Sequence, residues 1–286
     1  MLLVAESFVR QLKGSSQPLL IRCSDDQLYV IKFQGNPQGK RTLANELLGA
    51  RLAGKIGIPV AHACVIEVPT SEISNVGTGL SRGRSFIEPG SHCGTRYLVD
   101  PLLGRTHDYL PEAMLHAVRD TNPFAGALAF HLWVQNHDTP QPLYWRLSGD
   151  RLFHVAFIDH GLCFGGARWE MTNVRSTGLY HLRDVYHDIC DWSSFEPYLS
   201  FIENITIKVL FSLIRDIPQF WYGDHHQLRW MLVQLYERRL LLRELIAGCI
   251  GAHPDYFPHW RFAKSSDRRR IAPQSVKVQP IRVVEA

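Results

Sequence analysis

Residues 29–60 read YVIKFQGNPQGKRTLANELLGARLAGKIGIPV, and the order of residue types within them sets the architecture. Tyr29–Phe33 is a short apolar run broken only by Lys32, the pattern of a strand that ends on a cation. Gln34–Lys40 has the Gly, Asn and Pro of a loop. From Thr42 onward Leu43, Leu47, Ala50 and Ala53 recur at helical spacing. This spacing predicts a helix over 42–56, with Thr42 or Asn45 as its cap and Gly57 as its stop. A strand is expected at 59–68, PVAHACVIEV. Upstream, two apolar runs in residues 18–33 flank the turn Ser24-Asp25-Asp26, and downstream GRSFIE at 83–88 has strand composition. The first 90 residues therefore read β-β-α-β-β, with strands close enough to pair antiparallel.

The remainder is mostly helical in pattern. Residues 89–110 are rich in Gly, Pro and turn formers and read as a connector. A long helix is expected over 111–136, broken at Asn122-Pro123. Two strands follow at 142–147 and 152–159, joined by Ser148-Gly149-Asp150. Residues 195–250 carry helical periodicity, clearest in WMLVQLYERRLLLRELIAGCIG with its Gly stop. Asp224-His225-His226 resembles a phosphoesterase motif in letters only, and reads as a loop or helix cap.

Composition narrows the class. A chain of 286 residues with 45% hydrophobic and 20% charged residues is that of a globular protein with a sizeable core. No apolar stretch approaches the roughly 18–20 residues of a membrane span. Glu6 and Arg10 interrupt the region where a signal peptide would be apolar. The net charge, 31 − 27 = +4, needs no polyanionic partner, and no nucleic-acid-binding motif is present. Much of that excess lies in the basic stretch around Arg268-Arg269-Arg270. The six cysteines are scattered without a CxxC pair, which fits a reducing cytoplasm. His187 with Cys190 and His160 with Cys163 have ligand spacing, but no second pair completes a zinc set.

Three features carry chemistry, in chain order. Lys32 ends a strand and Glu46 follows fourteen residues on in a helix. This is the arrangement by which a kinase holds nucleotide phosphates, the glutamate fixing the lysine rotamer. Asp138, in QNHDTPQPLYW (135–145), follows an apolar helix and precedes a strand, a position from which a carboxylate accepts a hydroxyl proton. Asp159, in FHVAFIDHG (153–161), ends an apolar strand, where a carboxylate is costly unless paired or metal-bound, and Gly161 is expected to permit the sharp turn. In Gln34–Lys40, Gly35 and Gly39 have spacing compatible with backbone amides turned on an anion.

The chain resembles the HipA-like kinase family over roughly residues 15–165. The likeness lies in the quoted stretch 29–60 and in FHLWVQNHDTPQPLYW and FIDHGLCFGG. The resemblance implies an α+β, two-lobed protein-kinase-like fold. Its expected parts are an N-terminal nucleotide-binding lobe at 1–90, a helical lobe at 91–262 and a basic tail at 263–286. It implies ATP and Mg²⁺ between the lobes, Lys32 on phosphates, Asp138 as base or hydroxyl orienter, and Asp159 as metal ligand. The acceptor would be a hydroxyl, foremost a protein Ser or Thr. The sequence departs from the family after the catalytic aspartate. Thr139 stands where an arginine is usual, and Leu143 where an asparagine supplies the second metal ligand. Gln141 is the expected substitute, with Asn136 on the other side. The alternatives are a catalytically silent binding module and a lipid or small-molecule kinase.

Overall fold

The computed structural model describes residues 3–71, 88–171 and 178–261. The basic stretch 263–286 and all but the last residue of the strand expected at 83–88 lie outside these residues.

Five strands close into a barrel: β1 (Leu3–Gln11), β2 (Leu19–Cys23), β3 (Leu28–Lys32), β4 (Ala63–Val68) and β5 (Gly90–Arg96), in the order β1-β2-β3-β5-β4. The closing pair, β1 with β4, is parallel and the others antiparallel. Closure leaves no free edge. Leu19, Ile21, Tyr29, Ile31, Phe33, Ile66 and Val68 fill the interior. Tyr29 and Ile31 point inward, so strand alternation turns Val30 and Lys32 outward. β1 escapes sequence reading because register shifts between Ala5 and Ser7, and between Phe8 and Arg10, destroy its alternation. β5 lies in the stretch expected to be a connector. Its Gly94 is required by packing, because a Cβ there would stand 2.0 Å from Cδ1 of the fully buried Ile66. A turn-forming residue type here serves a strand.

Helix α1 (Arg41–Lys55) links β3 to β4. It begins after Lys40 without a side-chain cap; the Thr42 hydroxyl donates to Gly39 O, and Asn45 lies inside the helix. Its end is as expected. Gly57 is left-handed (φ 90°), with Gly57 N–H on Gly54 O and Ile58 N–H on Ala53 O, a Schellman closure.

A second sheet, β6 (Gly104–His107), β7 (Gln141–Leu147) and β8 (His154–Ile158), is antiparallel throughout. Between β6 and β7 runs α2 (Asn122–Val134), in which every residue from Pro123 to Val134 is buried. A helix apolar all round belongs at the centre of a core. The long helix expected over 111–136 is therefore half the length. Residues 112–117 form a 3₁₀ turn, and Ala117–Arg119 then pair with Phe153. Pro123 sits in the first turn of α2, where proline is tolerated. Helices α3 (Tyr198–Glu203), α6 (His225–Arg238) and α7 (Leu242–Ala252) pack against α2, while α4 (Ile207–Leu213) and α5 (Gln219–Tyr222) lie against α1 and α6. The C-terminal run expected as one helix is two, split at 239–241, and it continues past Gly251. Asp224 caps α6, accepting from His226 N–H at 2.8 Å.

Gly126 in α2 faces Tyr198, whose ring atoms would lie 2.7–2.8 Å from an added Cβ. Gly to Ala in a helix ordinarily stabilises by up to about 1 kcal/mol. Here overpacking of about 1–3 kcal/mol outweighs that gain. Gly126→Ala is expected to lower the urea midpoint of the parent, and to lower it less or not at all when introduced into Tyr198→Ala. A midpoint at or above that of the parent would contradict this packing.

Candidate active site

The Lys32 ammonium lies 2.7 Å from Glu46 Oε2 and 2.7 Å from Asp159 Oδ1. Each partner comes from a separate element: the end of β3, the second turn of α1, and the residue after β8. The Lys32 and Glu46 side chains are 13% and 3% exposed, and Asp159 is 31% exposed, so the open side of the group is the Asp159 side. Burial pushes the lysine pKa down, but the two carboxylates more than reverse this and leave it raised. Burial pushes the Asp159 carboxyl up, and the Lys32 charge and hydrogen bond more than reverse that, holding it below the usual carboxylate range. Both groups are ionised at neutral pH. The formal charges, +1 −1 −1, leave the triad with one net negative charge.

The sharp turn after β8 is made by Asp159 itself, at φ 63°, not by Gly161. Aspartate is among the few side chains that tolerate this region, and an outlier there marks a site that its surroundings over-determine. Gly161 instead lies against Glu46, where a Cβ would stand 3.5 Å from Oε2.

Asp138 is held at both oxygens. Oδ1 accepts from Thr139 N–H at 2.8 Å, and Oδ2 accepts from Gln141 Nε2 at 3.0 Å. Gln141 pairs with Ile158, the residue before Asp159, so its side chain stands beside both aspartate loops. A carboxylate takes only the amide N–H₂ of Gln141, which turns Oε1 away from Asp138. Asn136 is turned into its own loop. It is 1% exposed, its Oδ1 accepts from Asp138 N–H, and its Nδ2 lies 3.2 Å from His131 Nδ1. Leu143 sits two residues beyond Gln141 on the same face of β7, partly exposed.

The loops bearing the two aspartates run side by side on three backbone bonds: His137 N–H to Leu162 O, Phe164 N–H to Val134 O, and Gly165 N–H to Gln135 O. Behind them the buried Arg238 donates to Leu132 O and Trp133 O at the end of α2, a cation on a helix C-terminus.

In the β3–α1 loop Gly35 and Gly39 are exposed. The loop amides of Gln34, Asn36, Gln38 and Gly39 bond to His92 Nδ1, Phe33 O, Asn36 Oδ1 and Asn36 O, so these four are spent inside the turn. Beside this loop lies the β1–β2 turn, which the sequence does not mark as part of a site. The pairs Gln11–Leu19 and Leu19–Ile31 place it at the Lys32 end of the barrel, and Gln38 Nε2 donates to Ser15 Oγ at 3.1 Å. His92 lies on β5, in the stretch expected to be a connector. It accepts at Nδ1 and faces Glu88 O at Nε2, which fixes a neutral tautomer, and burial lowers its pKa.

Among the described residues no cluster of three or more His, Cys, Asp or Glu side chains is arranged to hold a metal ion. The donors at the site are hard oxygens on a negatively charged group, Asp159 with Gln141 beside it. They fit Mg²⁺ or Mn²⁺, which bind through one or two protein oxygens together with substrate phosphates. They do not fit a soft, closed zinc site.

The fold is kinase-like, and solved structures share it. The crystal structure of the proinflammatory kinase CtkA of Helicobacter pylori superposes with TM-score 0.52 at 11% identity, covering 86% of this chain and 99% of that one. The Golgi casein kinase superposes with TM-score 0.54 at 10% identity, covering 87% and 74%. Its Mn/ADP-bound form superposes with TM-score 0.50 at 11% identity and the same coverage. The chain belongs to the HipA-like kinase family, whose model matches residues 4–245. No curated protein sequence matches it.

His131 links the site to pH. Its Nδ1 faces the Asn136 amide, which a neutral ring accepts and an imidazolium does not. Burial, with His160 adding to it, pushes its pKa down to about 3. The unfolded chain takes up this proton below about pH 6.5 and the folded chain does not, so stability falls as pH falls through that window. The loss for this group approaches about 1.4 kcal/mol per pH unit once the pH is well below 6.5. Urea unfolding between pH 6.5 and 5 is expected to show a decline that steepens toward that slope, shallower in His131→Gln. An identical slope in the two proteins would remove His131 from the account.

Proposed function

We propose that the protein is an ATP-dependent phosphotransferase that passes the γ-phosphoryl group to a hydroxyl, foremost a protein Ser or Thr. The observation that carries this reading is the Lys32 ammonium shared at 2.7 Å by Glu46 and Asp159. A buried ion pair contributes little net stability, because desolvation offsets its Coulomb energy. A buried triad with surplus negative charge and a partly exposed carboxylate is better suited to receiving a cation and its phosphates. In this reading the barrel with α1 forms one lobe, near residues 1–90 and extended by β5, and the helical part near 91–262 forms the other.

Lys32 places a positive charge on the phosphates, and Glu46 holds its rotamer. Asp159, with Gln141 Oε1, would hold the divalent ion, which when bound would supply positive charge against that developing on the phosphates. Asp138, held at both oxygens, orients the acceptor hydroxyl and takes its proton. The partly exposed Val30 precedes Lys32 by two residues, and Leu143 follows Gln141 by two. They share the faces of β3 and β7 that carry those site residues, and so offer apolar contacts to a base. A second reading, nucleotide binding without transfer, is favoured by Leu143, which supplies no ligand where the family has an amide oxygen.

Mg-ATP at about a hundred times its dissociation constant is expected to add roughly 2.7 kcal/mol to unfolding. Lys32→Ala and Asp159→Ala should abolish most of that gain. Asp138→Asn should keep it while lowering transfer by a hundredfold or more. No thermal shift in the parent would defeat the nucleotide reading. A shift without transfer would establish the silent one, and equal loss of affinity in the two aspartate variants would show their roles misassigned. Gln141→Ala is expected to cut turnover about tenfold further and to raise the Mn²⁺ concentration needed for half-maximal rate. Unchanged metal dependence would leave Gln141 as a partner of Asp138 alone.

A further inference from the structure

Asn45 immediately precedes Glu46 in α1 and is 1% exposed. Its Nδ2 lies 3.0 Å from Gly161 O, 3.1 Å from Cys163 O and 3.2 Å from Gly166 O, and its Oδ1 accepts from Trp169 Nε1 at 2.7 Å. The whole amide is thus spent on the loop that begins at Asp159. We infer that Asn45 is a positioning residue, which holds the 161–169 loop, and with it Asp159, at the distance from Lys32 and Glu46 that the shared ammonium requires. The inference rests on the phosphotransferase reading and names what sets the geometry of that site.

Two neighbouring helix residues divide the task. Glu46 reaches the lysine, and Asn45 reaches the loop that delivers the second carboxylate. One turn earlier Arg41 lies 4.7 Å over the Trp169 ring while donating to Tyr222 O and Gln227 Oε1, so the indole is pinned at its edge and its face. Phe164 and Trp169 both sit at positive φ, 62° and 58°, a conformation that side chains keep only when their surroundings over-determine it. On the other side the helix and loop pack without slack, since a Cβ at Gly49 would lie 2.5 Å from His160 Cβ. The residue type is demanded by the bonds. Aspartate keeps the acceptor for Trp169 but sets a carboxylate against three carbonyls. Alanine removes the bond made to the indole N–H and the bond made to Gly161 O, and takes the second bond from Cys163 O and Gly166 O, which keep Gly166 N–H and Trp169 N–H. Being neutral, the amide does this without adding charge to the triad.

Full-length Trp169→Phe keeps the ring over Arg41 and deletes one N–H; Asn45→Asp deletes the donors. Three readouts apply to both: ADP affinity with and without metal, Mn²⁺ affinity by electron paramagnetic resonance with and without ADP, and amide hydrogen exchange. Expected are metal-free ADP affinity within about twofold of the parent, and Mn²⁺ affinity in the presence of ADP down about tenfold in Asn45→Asp and threefold in Trp169→Phe. Loop amides 161–169 should exchange at least tenfold faster while those of α2 stay unchanged. A folded variant with parental loop exchange and Mn²⁺ affinity overturns the inference. Equal loss of ADP affinity with and without metal also overturns it, since a merely structural role predicts that. If Asn45→Asp fails to fold, Trp169→Phe decides alone. If the parent binds neither ADP nor Mn²⁺ the phosphotransferase reading falls. The exchange comparison then still decides whether Asn45 holds the loop, faster exchange confined to 161–169 supporting it and parental exchange refuting it.

Discussion

One ammonium ion between two carboxylates organises this molecule. Lys32, Glu46 and Asp159 come from a barrel strand, the helix inserted into the barrel, and the end of a strand in the second sheet. For three charged ends to meet within hydrogen-bond distance, those elements must hold a fixed relative placement. The contact itself does not supply the energy for that, because desolvation cancels most of its attraction. Placement comes from neutral packing and from bonds to backbone. The Ile58-Pro59 segment after α1 docks on β8, with Phe157 N–H on Pro59 O at 2.8 Å, two residues from Asp159. Arg51 reaches Leu213 O and Asp216 from the outer face of α1, and Arg41 reaches Tyr222 O from its first turn. The helix that carries Glu46 is fastened to the helical part along its length, so the triad is assembled before any ligand arrives.

What the sequence made legible was the part of the site in which chemistry and local pattern coincide. Lys32 interrupts an apolar strand, Glu46 lies at a fixed interval in a periodic helix, and Asp159 ends a buried run, so each stood out by its own neighbours. The structure brings those three into contact and places Gln141 against Asp138. The helix end at Gly57 was equally legible, because a left-handed stop leaves a glycine in the chain.

The parts that were not legible have a common cause, which is that their partners are remote. Asn45 serves carbonyls 116 to 121 residues away, and a carbonyl has no letter in a sequence. His92 receives the amide of Gln34 across 58 residues. Gly94 suggested a connector, because the buried isoleucine that forbids a side chain there sits on another strand. The 3₁₀ turn at 112–117 carried helical composition, but its continuation was drawn into pairing with Phe153. In each case a tertiary contact overruled a local preference that was read correctly as local.

The division between charge and backbone also explains how the site tolerates its departure from the family pattern. Replacing a metal-ligating amide by Leu143 would collapse a site whose loops were held by that ligand. Here the loops of Asp138 and Asp159 are held by three backbone bonds, by Asn136 in one loop and by Asn45 in the other, none of which involves residue 143. The geometry therefore persists whatever stands at residue 143. In the proposed reading, what changes is the number of oxygens offered to a divalent ion, and Gln141, two residues nearer on the same face of β7, is the oxygen donor that strand alternation leaves in reach.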